Sequence, residues 1–449
     1  MFDPPKANPV DYRCMNYMVL DLETTIRNRG DDAIGKMQAS PFHPDNKIHM
    51  YGHTRPASMT GIFDLETRAG QRITNLYQGD FLETLDVSDI IVGQNLKFDM
   101  LYLLMHHKCR FMRFLRNGGV IWDTMQAEYL LTNHQDQFAP LGNKYKKHVE
   151  PKVLIKQGMA EKYGGFDKDD RIAEYWNEGI DTPDIPQEEL RDYLDGDLSN
   201  TLIVFQHQYR DTLDNGPDFT ALVQTQMQAI VATTMCEYNG MHFDIDAASK
   251  ELVVLAKEHD NRETIMQNWM ADEINVHAEV GTPVVEAADC NPGSPQQLST
   301  VLMGGVFKHT KRLPMEDDEG KPLFIKTGPN KGQPKMKNFV CHVTIEEKNS
   351  ALGAHVDTSV LTKNTLGYVL DNDVIPKLID EVGKTTAAGV FLKNVLKYRE
   401  LSKDINTYYI GLLNLTWPTD SCIHGTMNHC ATGTGRLSSS APNMQNVSG

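Results

Sequence analysis

No uninterrupted apolar run of about 18 residues occurs in the chain, which excludes a single-helix membrane span. The first residues, Met1-Phe2-Asp3-Pro4-Pro5-Lys6, lack the apolar core of a secretion signal. A C-x-x-C pair is missing as well. Cys14, Cys109, Cys236, Cys290, Cys341, Cys422 and Cys430 are scattered and odd in number. That distribution speaks against a disulfide framework or a zinc site, and for reduced thiols in a cytoplasmic setting. Positive charge is also short. Lys+Arg 44 against Asp+Glu 60 leaves a formal net charge of −16, so any affinity for nucleic acid has to come from local basicity.

What is present is ordinary for a globular protein, with 40% hydrophobic and 23% charged residues in 449. That length predicts two or three domains, each able to bury a core. The most informative stretch is Tyr17-Met18-Val19-Leu20-Asp21-Leu22-Glu23-Thr24-Thr25. It reads as a buried strand that ends on two carboxylates. Asp21 and Glu23 are two apart and so project to one side of a strand. Like charges this close are costly beside apolar surface unless a cation lies between them. Mg²⁺, which takes hard oxygen ligands, is the simplest occupant.

Downstream, strand-like pieces at 48–51 and 61–63 and a helical stretch at 81–87 precede a strand at 89–92. That strand runs into Gly93-Gln94-Asn95-Leu96-Lys97-Phe98-Asp99. Asn95 and Asp99, four apart, are expected on one face of a starting helix. Asp123, just before a helical run, reads as an N-cap rather than a ligand. Residues 140 to 185 are charged and irregular, with a helical piece at 171–176. Pro183 and Pro186 then precede a clear helix from Gln187 to Leu202. On it Tyr193 and Asp197 share a face, and Leu190, Leu194, Leu198 and Leu202 form an adjacent stripe for docking.

D-x-E, N-x-x-x-D and Y-x-x-x-D therefore occur in that order, on a strand and two helices. In this the sequence resembles the DEDD superfamily of 3′–5′ exonucleases, in its tyrosine subclass. The words Val92-Gly-Gln-Asn-Leu-Lys-Phe-Asp99 and Trp122-Asp-Thr-Met125 look like the proofreading domains of family A DNA polymerases. The resemblance implies two Mg²⁺ (or Mn²⁺) held by Asp21, Glu23, Asp99 and Asp197. Asp21 would bridge the pair, and Asp99 would support the second ion largely through its waters. Tyr193 would aim the attacking water, since a phenol is a poor base at neutral pH. Asn95 would position the substrate or the Asp99 helix. The same motifs occur in exoribonucleases of the RNase D type, which keeps RNA as an alternative substrate.

Asn215-Gly216-Pro217 marks a turn cluster. A helix at 222–237 follows, with Gly240 as its C-cap and Asp244 or Asp246 capping a further helix through Glu258. Ser294 with Pro295 starts another. Lys308, Lys311, Arg312, Lys321, Lys326, Lys331, Lys335 and Lys337 crowd a Gly- and Pro-containing loop. This loop reads either as a solvated segment or as an insertion that grips the DNA backbone or a processivity factor. A helix over 395–408 is similar to the thumb helix of family A polymerases, with Lys403, Asn406 and Thr407 as candidate DNA contacts. Thr434-Gly-Arg-Leu-Ser-Ser-Ser-Ala-Pro-Asn-Met-Gln-Asn446 resembles that family most closely. By analogy Arg436, Asn443, Gln445 and Asn446 lie along the primer–template.

The resemblance predicts an α/β chain. An RNase H-like exonuclease domain, a mixed sheet flanked by helices, spans 1–212. Connecting helices and the thumb base span 213–304, a Lys-rich thumb insertion 305–365, thumb helices 366–422 and the start of a palm 423–449. The family's palm acids and finger helix are not found in the sequence, so the expectation is either a piece of a longer, phage-like polymerase or a split one whose second polypeptide supplies them. The rival expectation is a non-enzymatic DNA-gripping scaffold subunit.

Overall fold

A computed structural model describes residues 9–26, 39–55, 71–75, 79–132, 163, 171–317, 319–353, 355–432 and 435–444. The strand expected at 61–63, most of the charged stretch from 140, and Gln445 and Asn446 lie outside the described residues. The chain divides into two compact units, one of residues 1–243 with 412–449, the other of residues 244–411.

The first unit is built on a five-stranded sheet. Its strands are β1 (Tyr17–Thr24), β2 (Ile48–Arg55), β3 (Gln71–Asn75), β4 (Ile90–Gly93) and β5 (Val120–Asp123), in the order β3-β2-β1-β4-β5. β1 to β3 pair antiparallel, whereas β1, β4 and β5 run parallel. Parallel strands need both faces covered, and their sequences are correspondingly apolar throughout. Met18, Val19, Leu20, Ile90, Ile91, Val92, Ile121 and Trp122 are all buried. The cover comes from α1 (Gly79–Val87), α2 (Lys97–Arg116), α3 (Thr124–Leu131), α4 (Arg171–Asn177), α5 (Gln187–Asp214) and α6 (Pro217–Asn239).

α5 docks through its leucine stripe: Leu190, Leu194 and Leu198 are fully buried, and Leu202 packs at the edge of the core. The approach is close because Gly52 on β2 has no side chain. A Cβ there would lie 2.8 Å from Leu194 Cγ. α6 ends at Gly240, whose φ of +65° is readily adopted only by glycine. The chain then forms β6 (Met241–His242), which pairs with Cys422–Ile423. A small hairpin joins Thr426–Asn428 to Ser438–Ser440.

The second unit is mainly helical. Asp244 caps α7 (Ile245–Val276), which runs well beyond the end expected at Glu258, because Met266, Met270 and Ile274 extend its buried face. Ser294 caps α8 (Pro295–Met303), with Pro295 at the first position. α9 (Ile375–Val382) and α10 (Ala387–Lys403) complete the core around Leu298, Leu302, Leu378, Leu392 and Val395.

Two expectations change here. The Lys-rich segment is a loop only in part: Gly305–Pro314 (β7) and Met336–Ile345 (β8) form a ten-residue antiparallel ribbon, and Lys321, Lys326, Lys331 and Lys335 lie in the connection between them. Its inner residues Phe307, Val343 and Ile345 join the core, which fixes the register. The helix expected over 395–408 is regular only to Lys403. Residues Asp404–Ile410 continue it as a π-helix, a wider winding common at functional positions.

Candidate metal centre

Asp21 stands opposite Gly52 and Glu23 opposite Met50 in the β1–β2 register. With Asp197 on α5 they form a trio in which one carboxylate oxygen from each lies within 4.8 Å of the others. Glu23 is buried, while Asp21 and Asp197 are half-buried. Three carboxylates at such separations repel one another strongly in a partly desolvated site.

A cleft of about 350 Å³ opens over the trio, and Asn95, Asp99, Trp176 and Tyr193 also line it. Asp99, in the first turn of α2, is 3% exposed. Its Oδ1 is buried without a hydrogen-bond partner among the described residues. Burial first, and the Asp21 charge second, push the Asp99 carboxyl well above the ordinary carboxylate range. The backbone N–H groups of Asp99 and Leu22 oppose the shift without cancelling it. A buried acid with an idle oxygen beside three other acids is a set of oxygens that could hold a cation.

Asn95 is placed differently from expectation. α2 begins at Lys97, and Asn95 sits in the preceding turn with φ +56°, a left-handed conformation that asparagine tolerates better than most residues. Asp123 is what holds this turn. Its carboxylate accepts from Asn95 N and Leu96 N at 3.2 and 2.9 Å, and from Met125 N and Gln126 N of α3 at 2.9 and 3.3 Å. Asp123 is thus the N-cap of α3 and also a clamp on the turn that delivers Asn95 and Asp99. Burial raises its carboxyl too, against those four N–H groups.

Two further positions escaped the sequence reading. Trp176 meets the Tyr193 ring edge-on, with centroids 6.0 Å apart and planes at 88°, and its Nε1 donates to Thr182 Oγ1 at 3.1 Å. Thr182 Oγ1 in turn donates to Thr24 O at the end of β1. α4, α5 and the acidic strand are therefore tied at one point. The other is Glu237 at the end of α6. It accepts from Lys97 Nζ at 2.7 Å and from Met427 N, while Lys97 Nζ also donates to Met427 O. Lys97 lies two residues from Asp99, so this buried ion pair pins the start of α2 to the C-terminal hairpin. Its only sequence signal was Glu237 in an E-x-x-G-x-x-x-D pattern running to Asp244.

The remaining candidates are elsewhere. Lys403, Asn406 and Thr407 are exposed in the second unit, with Lys403 Nζ over the Tyr408 ring and Asn406 Nδ2 donating to Ser402 O. Arg436 and Asn443 are exposed on the C-terminal segment of the first. None of these five is among the acid cluster.

The model of DNA polymerase family A matches residues 347–449, so over that stretch the chain is similar to family A DNA polymerases. DNA polymerase I of Bacillus subtilis is 38% identical over 88 residues, 20% of this chain and 9% of that protein. The thermostable DNA polymerase I of Thermus thermophilus is 51% identical over 53 residues, 12% of this chain and 6% of that protein. The matched stretch thus spans about a tenth of these relatives or less. In fold, the chain resembles the POL domain of Pol1 from M. smegmatis, solved with DNA primer-template and dNTP. That likeness has a TM-score of 0.50 at 15% identity and covers 97% of this chain and 53% of that one. Among the described residues no helix is long and apolar enough to cross a membrane.

Proposed function

We propose that the first unit is an RNase H-like 3′–5′ exonuclease of the proofreading type. In this reading it acts on DNA ends with two divalent cations, Mg²⁺ or Mn²⁺. The observation that carries the proposal is the convergence of Asp21, Glu23 and Asp197 within 4.8 Å, on the same cleft as the unpartnered Asp99 Oδ1. The all-oxygen, all-acidic donor set fits hard cations and no soft metal. Asp21, Glu23 and Asp197 would hold one ion, with Asp21 shared and Asp99 supporting the second. When bound, such a pair activates the nucleophile and neutralises charge at phosphorus and the leaving oxygen.

The chain's own residues do the rest. Tyr193, braced by Trp176, directs the attacking water by hydrogen bonding, and the bracing removes rotational freedom before substrate arrives. Asn95 presents its side chain from a turn that Asp123 fixes. The second unit, with Lys403, Asn406 and Thr407, and the C-terminal segment, with Arg436, Asn443, Gln445 and Asn446, are proposed to hold the primer–template. DNA is favoured over RNA because residues 347–449 match a DNA polymerase family.

The test is nucleotide release from a labelled single-stranded DNA 3′ end with Mg²⁺. Asp21→Ala is expected to lower it by roughly 10³-fold or more, the scale of several kcal/mol of lost metal stabilisation. An unchanged rate refutes the assigned site, and a preference for RNA 3′ ends refutes the substrate.

A further inference from the structure

The ribbon formed by β7 and β8 concentrates charge of the sign the chain lacks. Between residues 305 and 345 eight lysines and arginines face four acids, in a chain of formal charge −16. The pairing within the ribbon is uneven. On the inner face, Lys311 Nζ reaches Asp289 at 2.8 Å and Glu286 at 3.3 Å, and Lys321 at the tip pairs with Glu319. Lys308, Arg312, Lys326, Lys331, Lys335 and Lys337 have no carboxylate at ion-pair distance among the described residues. All six are exposed.

Register explains the division. Side chains alternate along a strand, so Phe307, His309 and Lys311 turn to the core, while Lys308, Thr310 and Arg312 turn outward. Across the ribbon Lys308 faces His342, Thr310 faces Val340 and Arg312 faces Asn338. Lys308 and Arg312 are thus about 13 Å apart on the outer face; Lys326, Lys331 and Lys335 lie in the tip segment between the strands, and Lys337, opposite Leu313, has the other parity.

We propose that the outer face and tip of this ribbon bind the phosphate backbone of duplex DNA, independently of base sequence. The inference rests on the reading of the chain as a DNA enzyme and adds a second, electrostatic contact to it. A ten-residue two-stranded ribbon is about 33 Å long. Its exposed cations run from Lys308 and Arg312 on β7 to Lys326, Lys331 and Lys335 in the tip segment beyond the strands, rather than gathering in one spot. A duplex presents a matching line of charge, one per about 1.7 Å of axis, whereas an acidic protein patch is compact. Flexible, unpaired lysines contact phosphates without demanding a fixed geometry.

The experiment measures anisotropy of a labelled blunt DNA duplex titrated with the full chain across a KCl series, with EDTA to silence the nuclease. The variant is Lys308→Gln/Arg312→Gln/Lys335→Gln, and its melting temperature should equal that of the parent because all three side chains are exposed. Binding is expected to weaken about tenfold or more at low salt. The log–log salt slope should flatten by about 2 to 3, close to 0.9 for each phosphate contact removed. Exchanging the same positions for the other basic residue (Lys308→Arg/Arg312→Lys/Lys335→Arg) should restore both. An unchanged slope overturns the proposal, as does equal affinity of the parent for poly-glutamate, which would make the partner an acidic protein. Nucleotide release from a short single-stranded DNA is followed in parallel. Its absence in the parent would sink the exonuclease reading while leaving the slope result to stand or fall alone.

Discussion

Two ion pairs of equal length frame the molecule. Lys97–Glu237, at the start of the helix that carries Asp99, and Lys321–Glu319, at the tip of the ribbon, both measure 2.7 Å. The first pair's side chains are 14% and 3% exposed, the second's 72% and 73%. Distance alone says nothing of worth. A buried pair, once formed, holds its neighbourhood rigid because neither partner can be left alone in a low dielectric. An exposed pair is screened by water and salt and is free to dissolve. The first unit uses charge to fix geometry beside the acid cluster. The ribbon leaves charge available for a partner.

The largest effect that would sharpen this contrast lies at Asp99. Asp99→Asn is expected to reduce nucleotide release by roughly a hundredfold or more, about 3 kcal/mol of transition-state stabilisation, while stabilising the metal-free protein. The sign follows from the raised carboxyl. The folded state holds a proton that the unfolded state releases, so stability is lost as pH rises from the ordinary carboxylate value through the raised one. Melting curves with EDTA should therefore coincide for the two proteins near pH 4 and separate near pH 7.5, with the variant higher. A variant that melts lower at pH 7.5 would break the reading of Asp99 as an unsatisfied acid.

Next in size is Lys97→Met, which leaves the buried Glu237 without its counter-ion, held only by Met427 N. We expect a loss of about 3 kcal/mol in urea denaturation, together with weaker nucleotide release because the start of α2 is loosened.

Gly52→Val should follow, at about 1 to 3 kcal/mol, since the new side chain must displace Leu194. Its kinetic signature is more telling than its stability cost. Pushing α5 away from β2 moves Tyr193 and Asp197 relative to Asp21, so kcat should fall while KM for the DNA end changes little.

The smallest effect belongs to the ribbon. Lys321→Ala should change stability by no more than about 0.5 kcal/mol. A loss comparable to that of Lys97→Met would erase the contrast.

Much of the first unit was readable along the chain. The apolar run of β1, the Asp123 cap and the leucine stripe of α5, like the Ser294 start of α8 in the second unit, are local signals, each fixed by side-chain period or by a cap's hydrogen bonds. Asn95 was misplaced because its left-handed turn is supported by Asp123, 28 residues on. The ribbon was taken for a loop because lysines and glycines are poor strand formers. What makes it a ribbon is Phe307, Val343 and Ile345 packing into a core that no local window contains. Trp176 carried no signal of its own, since its contact with Tyr193 exists only once α4 and α5 are docked.

By itself, then, the amino-acid order set which residues could chelate, and that Asp21 and Glu23 would stand on one side of a strand, because strand geometry repeats every two residues. Only the tertiary structure decided that Asp197, more than 170 positions later, would join them, and that Asp99 would be buried with an idle oxygen. The reason is packing. A glycine at 52 lets one helix lie close against the sheet, and the clamp of Asp123 aims another.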